Sequence, residues 1–489
     1  MIADFRPEQS SKNISESACR GGSLRNRCRL AQIVLDGGGT SFGQSRLYTL
    51  WAFAASCTAA LLLSPLEAKE PSFQLPQPAA IPQRTFKVTD FGARGDGVAM
   101  NTNAFRAAIE HCAKTGGGRV IVPSGTFLTG PIELASRTAL VLEKGAVIQA
   151  SDRFADFGLP DPLPPTQSEI DALKKQLRPL ISGTKLEDVA ILGEGVIDGA
   201  GAAWWAKSDK AAERAMAPAT PGNPAPATEK PLYVPRPHLV VLRDCARVQI
   251  AGVTLRNSPM FHIVPHHCRE VLVENVTIVS PADSPNTDGI DPANSRNVLI
   301  RRCTIDTGDD NIALKGGGTG NEPTENIAVT DCAFLHGHGV SIGSETDAGV
   351  RNFLVQHCTF ENTGTALRIK SDRTRGGAVE NVSYRDITMK NVETAITIFL
   401  FYDDKKSAAR PEPAPVTKQT PFVRGIVFQN IACNGATKKA GEIVGLPESP
   451  VSDVTLDNVR ITGAAAPFTQ QDIRNLSCHN FDVQTVTRP

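Results

Sequence analysis

The chain has 489 residues, and its 51 Lys plus Arg balance its 51 Asp plus Glu, for a formal net charge of zero. That balance leaves no electrostatic footprint for a nucleic-acid or membrane-surface partner, and neither is expected. Aromatic residues make up only 6% while Gly (41) and Pro (34) are abundant, which suits a turn-rich all-β protein.

Residues 1 to 68 read as a leader rather than as part of a fold. The first forty-five are polar and aperiodic; Arg46 then precedes an apolar run from Leu47 to Leu63, and Ser64-Pro65-Leu66-Glu67-Ala68 follows. This is the order of a signal peptide, with an h-region at about 47–63 and cleavage after Ala68. Such a signal implies a secreted or periplasmic protein with no stable membrane span after processing. A permanent anchor and lipidation at Cys57 are the weaker alternatives. The long stretch before Arg46 also fits a start codon placed too early. Residues 69–85 are Pro-rich and read as a linker, leaving 86–489 as one catalytic domain.

Past Phe86, the stretch Asn103 to Lys114 places Phe105, Ala108, Ile109 and Cys112 at helical spacing, and Gly116-Gly117-Gly118 ends it. Short apolar runs then recur: Arg119–Phe127, Ala139–Ile148 and Val189–Gly199. Two long excursions interrupt them, Asp156 to Leu177 and Ala200 to Pro237; a third, Lys405 to Pro421, comes later. Long loops on a rigid scaffold are expected at a binding surface, here as the walls of a cleft.

From Val248 an eight-residue pattern repeats, starting again at Val271, Val298, Ile327, Phe353, Val382, Ile426 and Val454. The intervals are 23, 27, 29, 26, 29, 44 and 28 residues, too short for βαβ units and too irregular for a propeller. Each unit alternates, breaks at a polar pair and alternates again, as two short strands joined by a bend would. One such coil cannot bury its own apolar face, so the units must stack. The prediction is a single-stranded parallel β-helix, a solenoid whose open end is covered by the N-terminal helix.

Positions that align support the stack. Asn297, Asn326, Asn352 and Asn381 each precede a strand and predict a ladder of turn asparagines. Cys303, Cys332 and Cys358 share a position with Val253, Val276, Ile387, Ile431 and Val459, which makes them small interior residues rather than metal ligands. Cys245 and Cys268 fall at one register on adjacent coils. They fit a disulfide, which export permits, or two stacked thiols.

Four polar clusters lie between the later repeats: Asn286-Thr287-Asp288, Gly308-Asp309-Asp310, Gly337-His338-Gly339 and Arg368-Ile369-Lys370. Aligning Ile290, Ile312, Val340 and Leu367 puts Asp288, Asp310, His338 and Thr365 in one column, with Asp309 beside it. The same alignment sets Arg368 level with Ser341, Ala313 and Asp291, and Lys370 level with Gly343 and Lys315. Strands roughly 5 Å apart would crowd these carboxylates, raising one pKa so that one carboxyl serves as acid while others activate water. Glycoside hydrolysis needs that division. Asp, Asn and Gly are common in β-helix turns, and any one cluster alone would mean little. One per coil, in order and in register, is a different matter.

The four clusters, together with Val88-Thr-Asp-Phe-Gly-Ala93 and Gly193–Gly199, resemble the polygalacturonases of glycoside hydrolase family 28 over roughly residues 86–465. The resemblance implies a right-handed parallel β-helix that hydrolyses α-1,4 bonds of polygalacturonan with inversion, acting as a monomer on pectic polysaccharide, with no metal and no cofactor. It further implies Asp309 as general acid, Asp288 and Asp310 handling water, and His338 beside them. Arg368 and Lys370 would hold substrate carboxylates, with Asn286 and Tyr402 as further substrate contacts. The extra Gly316–Asn321 loop departs from the pattern near the acid. Two other classes share the scaffold: a pectate lyase working by β-elimination, usually with calcium, and a non-catalytic carbohydrate-binding β-helix.

Overall fold

The computed structural model describes residues 73–216, 231–318, 321–402 and 412–486. The leader, with its h-region, Cys57 and cleavage point, lies outside them, as do residues 217–230 of the second excursion. Residues 68–489 hold together as one unit.

Every strand pairing among the described residues is parallel, and each strand pairs with the equivalent strand of the next coil. The solenoid is thus the expected β-helix, but each coil has three faces rather than two. The first face stacks Glu187–Gly193, Ala246–Ala251, Arg269–Glu274, Arg296–Arg301, Thr324–Thr330 and Val350–Gln356. The second stacks Val196–Asp198, Thr254–Arg256, Thr277–Val279 and Thr304–Asp306. These two are the strands of the repeat. The third carries Ile181–Thr184, Val240–Arg243 and Ile263–His266, passes through bridges at Ile290, and continues in Ile312–Leu314, Val340–Ile342 and Thr365–Lys370. Its strands are short, and all three residues of Ile312–Leu314 are buried, so no alternation marks them in the sequence.

The bend between the first two faces is made by the second residue of each polar pair. Asn275, Arg302, Asp331, His357, Asp386, Asn430 and Asn458 all sit at φ between 52° and 56°. Asparagine and aspartate tolerate this left-handed conformation best, which explains their recurrence. The asparagine ladder forms as predicted: Asn326 donates to Asn297 (3.2 Å), Asn352 to Asn326 (3.0 Å) and Asn381 to Asn352 (2.6 Å). A second ladder runs from Asp386 through Asn430 and Asn458 to Asn480.

Inside, Val, Ile and Leu stack in rows, each burial being favourable by about 1.5–3 kcal/mol. Cys303, Cys332 and Cys358 are buried free thiols, as their alignment with Val and Ile implied; Cys245 and Cys268 are free and buried too, one above the other. The helix Thr102–Lys114 covers the open N-terminal end with Phe105, Ala108, Ile109 and Cys112. Gly117, at φ 93°, ends it, and a Cβ there would lie 2.3 Å from the Arg137 carbonyl. The Pro-rich tract lies along the outside of the solenoid from residue 73 on. Phe73 packs on Leu272, Leu299 and Ala328, and the Ala80 amide donates to Asp188.

The first two excursions form one packed wall. Trp204 is buried between Phe154 and Phe157, and Gln167 exchanges two hydrogen bonds with the backbone of Tyr233. Arg236 pins this wall to the third face by donating to the carbonyls of Pro259 (2.9 Å) and Pro285 (2.5 Å).

Candidate active site

The third face carries the polar clusters, and its register is the one the alignment implies. Ile290 bridges Ile312, Ile312 pairs with Val340, and Val340 with Leu367. Asp288, Asp310 and His338 therefore come from successive coils at one level. Ser341 pairs with Arg368 on the next row.

Local hydrogen bonds fix each cluster. Thr287 accepts the Gly308 amide (3.0 Å) and meets Ser284 at 2.7 Å, tying the first cluster to the second. The Asn311 amide donates to the carbonyls of Ile305 and His336, and its oxygen accepts from the Gly339 amide at 2.8 Å. Gly337, at φ 103°, must be glycine, since a Cβ would stand 2.4 Å from the Asp309 carbonyl. The turn it permits swings His338 over the acids, where Nδ1 lies 3.0 Å from Asp309 Oδ1 and 3.8 Å from Asp310 Oδ1.

The carboxylates differ sharply in environment. Asp310 is fully buried and accepts from Ser341 (3.1 Å), from Arg368 and from Lys370 (2.8 Å). Burial works to raise its pKa, but Arg368 and Lys370 outweigh it and hold the carboxyl at about 2. Asp309 Oδ1 accepts from His338 and from the Asp310 amide (3.0 Å), while Oδ2 meets Lys210 Nζ at 3.0 Å. Burial opposes ionisation here too, yet His338 and Lys210 keep the carboxyl well below the usual carboxylate range. Asp288 is the reverse case. Burial, and then the charges of Asp291, Asp309 and Asp310, push its pKa far up, and its Oδ1 has no hydrogen-bond partner among the described residues. Burial, with crowding behind it, thus opposes ionisation at Asp288, whereas His338 and Lys210 favour it at Asp309.

Arg368 and Lys370 both face Asp310, so without substrate they neutralise the column. Lys370 Nζ also lies 5.3 Å from the centre of the Tyr402 ring. Asn286, at φ 52°, accepts from Arg236 at 2.8 Å. Four further residues join the site: Arg236, Lys210, Asp291 and Lys315. Asp291 and Lys315 already fall in the alignment, level with Arg368 and Lys370. They form a buried pair 4.0 Å apart, with Glu345 3.4 Å beyond the ammonium. Burial pushes Asp291 up to about 8 despite Lys315, and neither of its oxygens has a hydrogen-bond partner among the described residues. Lys210 and Arg236 belong to an excursion with no repeat register, so no sequence signal placed them.

Asp309, Asp310 and His338 offer ligand atoms within 4.8 Å of one another, a spacing that could seat a cation. Their oxygens are already served by Lys210, Arg368 and Lys370, and a divalent ion would add charge beside three cations. The arrangement suits acid–base chemistry better than metal binding. On the N-terminal side the third face opens into a groove of about 660 Å³ lined by Lys174, Lys175, Arg236 and Arg243.

Comparison with known proteins agrees with this geometry. The pattern of the family described as "Glycosyl hydrolases family 28" matches residues 112–486. A "Probable polygalacturonase" of Vitis vinifera is 31% identical over 80% of this chain and 77% of its own. An "Endo-polygalacturonase" of Pectobacterium carotovorum subsp. carotovorum is 32% identical over 74% of this chain and 84% of its own. Among solved structures, the hyperthermoactive exopolygalacturonase of Thermotoga maritima superposes with a TM-score of 0.66 at 30% identity, covering 82% of this chain and 94% of that one.

Proposed function

The chain belongs to glycosyl hydrolase family 28, and from that premise we propose that its third face cleaves polygalacturonan with Asp309 as acid and Asp310 as base. The enzyme is a polygalacturonase, a hydrolase of pectic polygalacturonate. Asp309 protonates the leaving glycosidic oxygen. Asp310, kept ionised by Arg368 and Lys370, takes the proton of the attacking water, and Asp288, whose burial opposes its ionisation, orients that water. The product anomer is inverted. His338 tunes Asp309. Arg368 and Lys370 each have donors beyond those spent on Asp310, enough to hold a uronate carboxylate as well. Asn286 and Tyr402 flank the sugar, and the groove with Lys174, Lys175 and Arg243 receives further anionic residues of the polymer.

The observation that carries this reading is the geometry of one coil face, where Asp309 and Asp310 meet His338, Lys210, Arg368 and Lys370 within direct reach. A calcium-dependent lyase is disfavoured because protein cations already compensate the acids. Export through the leader, action as a monomer and a periplasmic or secreted location complete the proposal; among the described residues no helix is long and apolar enough to cross a membrane.

Incubation with polygalacturonate tests it. New reducing ends should appear without ultraviolet absorbance from unsaturated products. Absorbing products would make the protein a lyase, and no reducing ends at all would make it a binding module.

A further inference from the structure

We propose that Lys210 is a substrate-carboxylate residue on the outer lip of the cleft, which Asp309 holds only until a uronide takes it. This rests on the reading of Asp309 as the acid, and on where Lys210 sits. Among the described residues four lysines and arginines form ion pairs with the acids of this face, and three of them belong to the coils and are mostly covered: Arg368, Lys370 and Lys315, with side chains 15%, 8% and 17% exposed. Lys210 is the fourth, 39% exposed, on the helix Asp209–Ala215 of the second excursion. Its backbone is anchored because Arg236, itself bonded to the third face, also binds Asp209 at 3.2 Å. The anchored stem keeps the ammonium over the acid, while the exposed tip can change partner.

The occupied oxygen is what makes that change necessary. Asp309 Oδ1 already accepts from His338 and from the Asp310 amide, so Oδ2 is the oxygen left to face a substrate. Lys210 stands on Oδ2. A carboxyl with both oxygens engaged by donors cannot present a proton to a glycosidic oxygen, so the ammonium must move for turnover. Leaving it without an anion once substrate covers the cleft would be costly. The substrate supplies the anion. In a 4-linked galacturonide the ring bearing the leaving oxygen carries its carboxylate on the adjacent carbon, so whatever delivers that oxygen to Oδ2 brings a carboxylate within reach of Lys210. Once the ammonium has moved, Asp309 takes one proton from solvent. It gives that proton to the leaving oxygen as the bond to the anomeric carbon breaks, while water bonds to that carbon and its proton passes to Asp310. Asp309 therefore loads its proton only when a uronide is bound. A neutral sugar, with no carboxylate to offer, leaves Lys210 in place, so the residue selects for uronides at the acid itself.

Other charges face Asp309. His338 touches it directly, and Asp310, Asp288, Asp291 and Arg236 act on it or through its field. None of these is altered by changing Lys210, which makes the test specific. Lys210→Met and Lys210→Arg are compared with the parent enzyme in pH–rate profiles on trigalacturonate. Lys210→Met should raise KM about tenfold, between the cost of losing an exposed and a desolvated ion pair. The basic limb of kcat/KM, which reports the free enzyme, should move to higher pH, because Asp309 loses a cation. The basic limb of kcat, which reports the complex, should stay where it is. Lys210→Arg should restore both. An unmoved kcat/KM limb, or an equal shift in the kcat limb, overturns the proposal.

Binding to an inactive background separates this claim from the acid assignment. Asp309→Asn frees the ammonium, so it should bind trigalacturonate more tightly than the parent, and adding Lys210→Met should abolish the gain. If Asp309→Asn is inactive but the second change costs no affinity, the Lys210 proposal alone fails. If Asp309→Asn still turns over, the acid assignment fails instead.

Discussion

The asparagine ladder and the acidic column are built by the same device, one polar side chain per coil at a fixed register, and they end in opposite states. Along Asn297, Asn326, Asn352 and Asn381 each amide donates to the oxygen of the coil before, so every added coil adds a satisfied hydrogen bond. Along Asp288, Asp310 and their neighbours the stacked groups are acceptors that cannot serve one another. Asp288 Oδ1 and both oxygens of Asp291 go unpartnered among the described residues, and cations arrive from three other places to compensate. Stacking amphoteric amides stabilises the solenoid; stacking carboxylates stores electrostatic free energy at one face, where chemistry can draw on it.

Ladder and column should respond oppositely when one member of each is changed. Asp309→Asn keeps size but removes the transferable proton, so kcat should fall by ~10²–10⁴ while the melting temperature stays close to that of the parent. Near-normal turnover would place the acid elsewhere.

Lys370→Ala tests whether the cations serve the substrate as well as Asp310. Losing a cation that meets a desolvated carboxylate costs roughly 2–5 kcal/mol, or about thirtyfold or more in kcat/KM on polygalacturonate. Fully methyl-esterified pectin should already be a poor substrate for the parent. Equal cleavage of ester and free acid would remove the carboxylate-holding role.

Asn352→Ala takes both a donor and an acceptor from the middle of the ladder and puts alanine at φ 56°. It should cost about 2 kcal/mol in denaturant unfolding and leave kcat unchanged. Lost activity at full stability would contradict the division between scaffold and site.

A smaller effect concerns pH. Asp291 is pushed up to about 8 from 3.8, so between those values the folded protein holds a proton that the unfolded chain releases. Its contribution to stability is fully present below the unfolded value and is lost as pH rises through about 8. Asp310 works the other way: its contribution is present above the unfolded value and lost as pH falls towards about 2. Asp291→Asn should therefore flatten the fall in melting temperature between about pH 4 and 8, and an unchanged slope there would show that Asp291 is not the titrating group.

Much of this was legible in the sequence because a solenoid writes its register into the chain. The eight-residue repeat gave two of the three faces, and the left-handed turn residues gave one ladder. Aligned isoleucines, valine and leucine set Asp288, Asp310 and His338 in one column, with Arg368 on the neighbouring coil. The third strand was hidden because short, doubly buried segments have no alternation. Lys210 and Arg236 were hidden because they ride on an excursion outside the repeat. Which carboxyl keeps its proton was hidden as well. That depends on depth and on Lys210: burial is the main cause that raises Asp288 and Asp291, while His338 and Lys210 lower Asp309. Register alone set Cys245 beside Cys268, but it could not say whether they bond; in the structure they are free thiols.

Hydrolysis on one face of the solenoid, with the acid on one side of the bond and water on the other, inverts the anomeric carbon. Proton NMR of oligogalacturonate cleavage, recorded before mutarotation, tests it most directly. The α-linked substrate should first release the β-anomer at the new reducing end. A first-formed α-anomer would mean that a carboxylate, not water, attacks the sugar, and would contradict the roles given to Asp288 and Asp310.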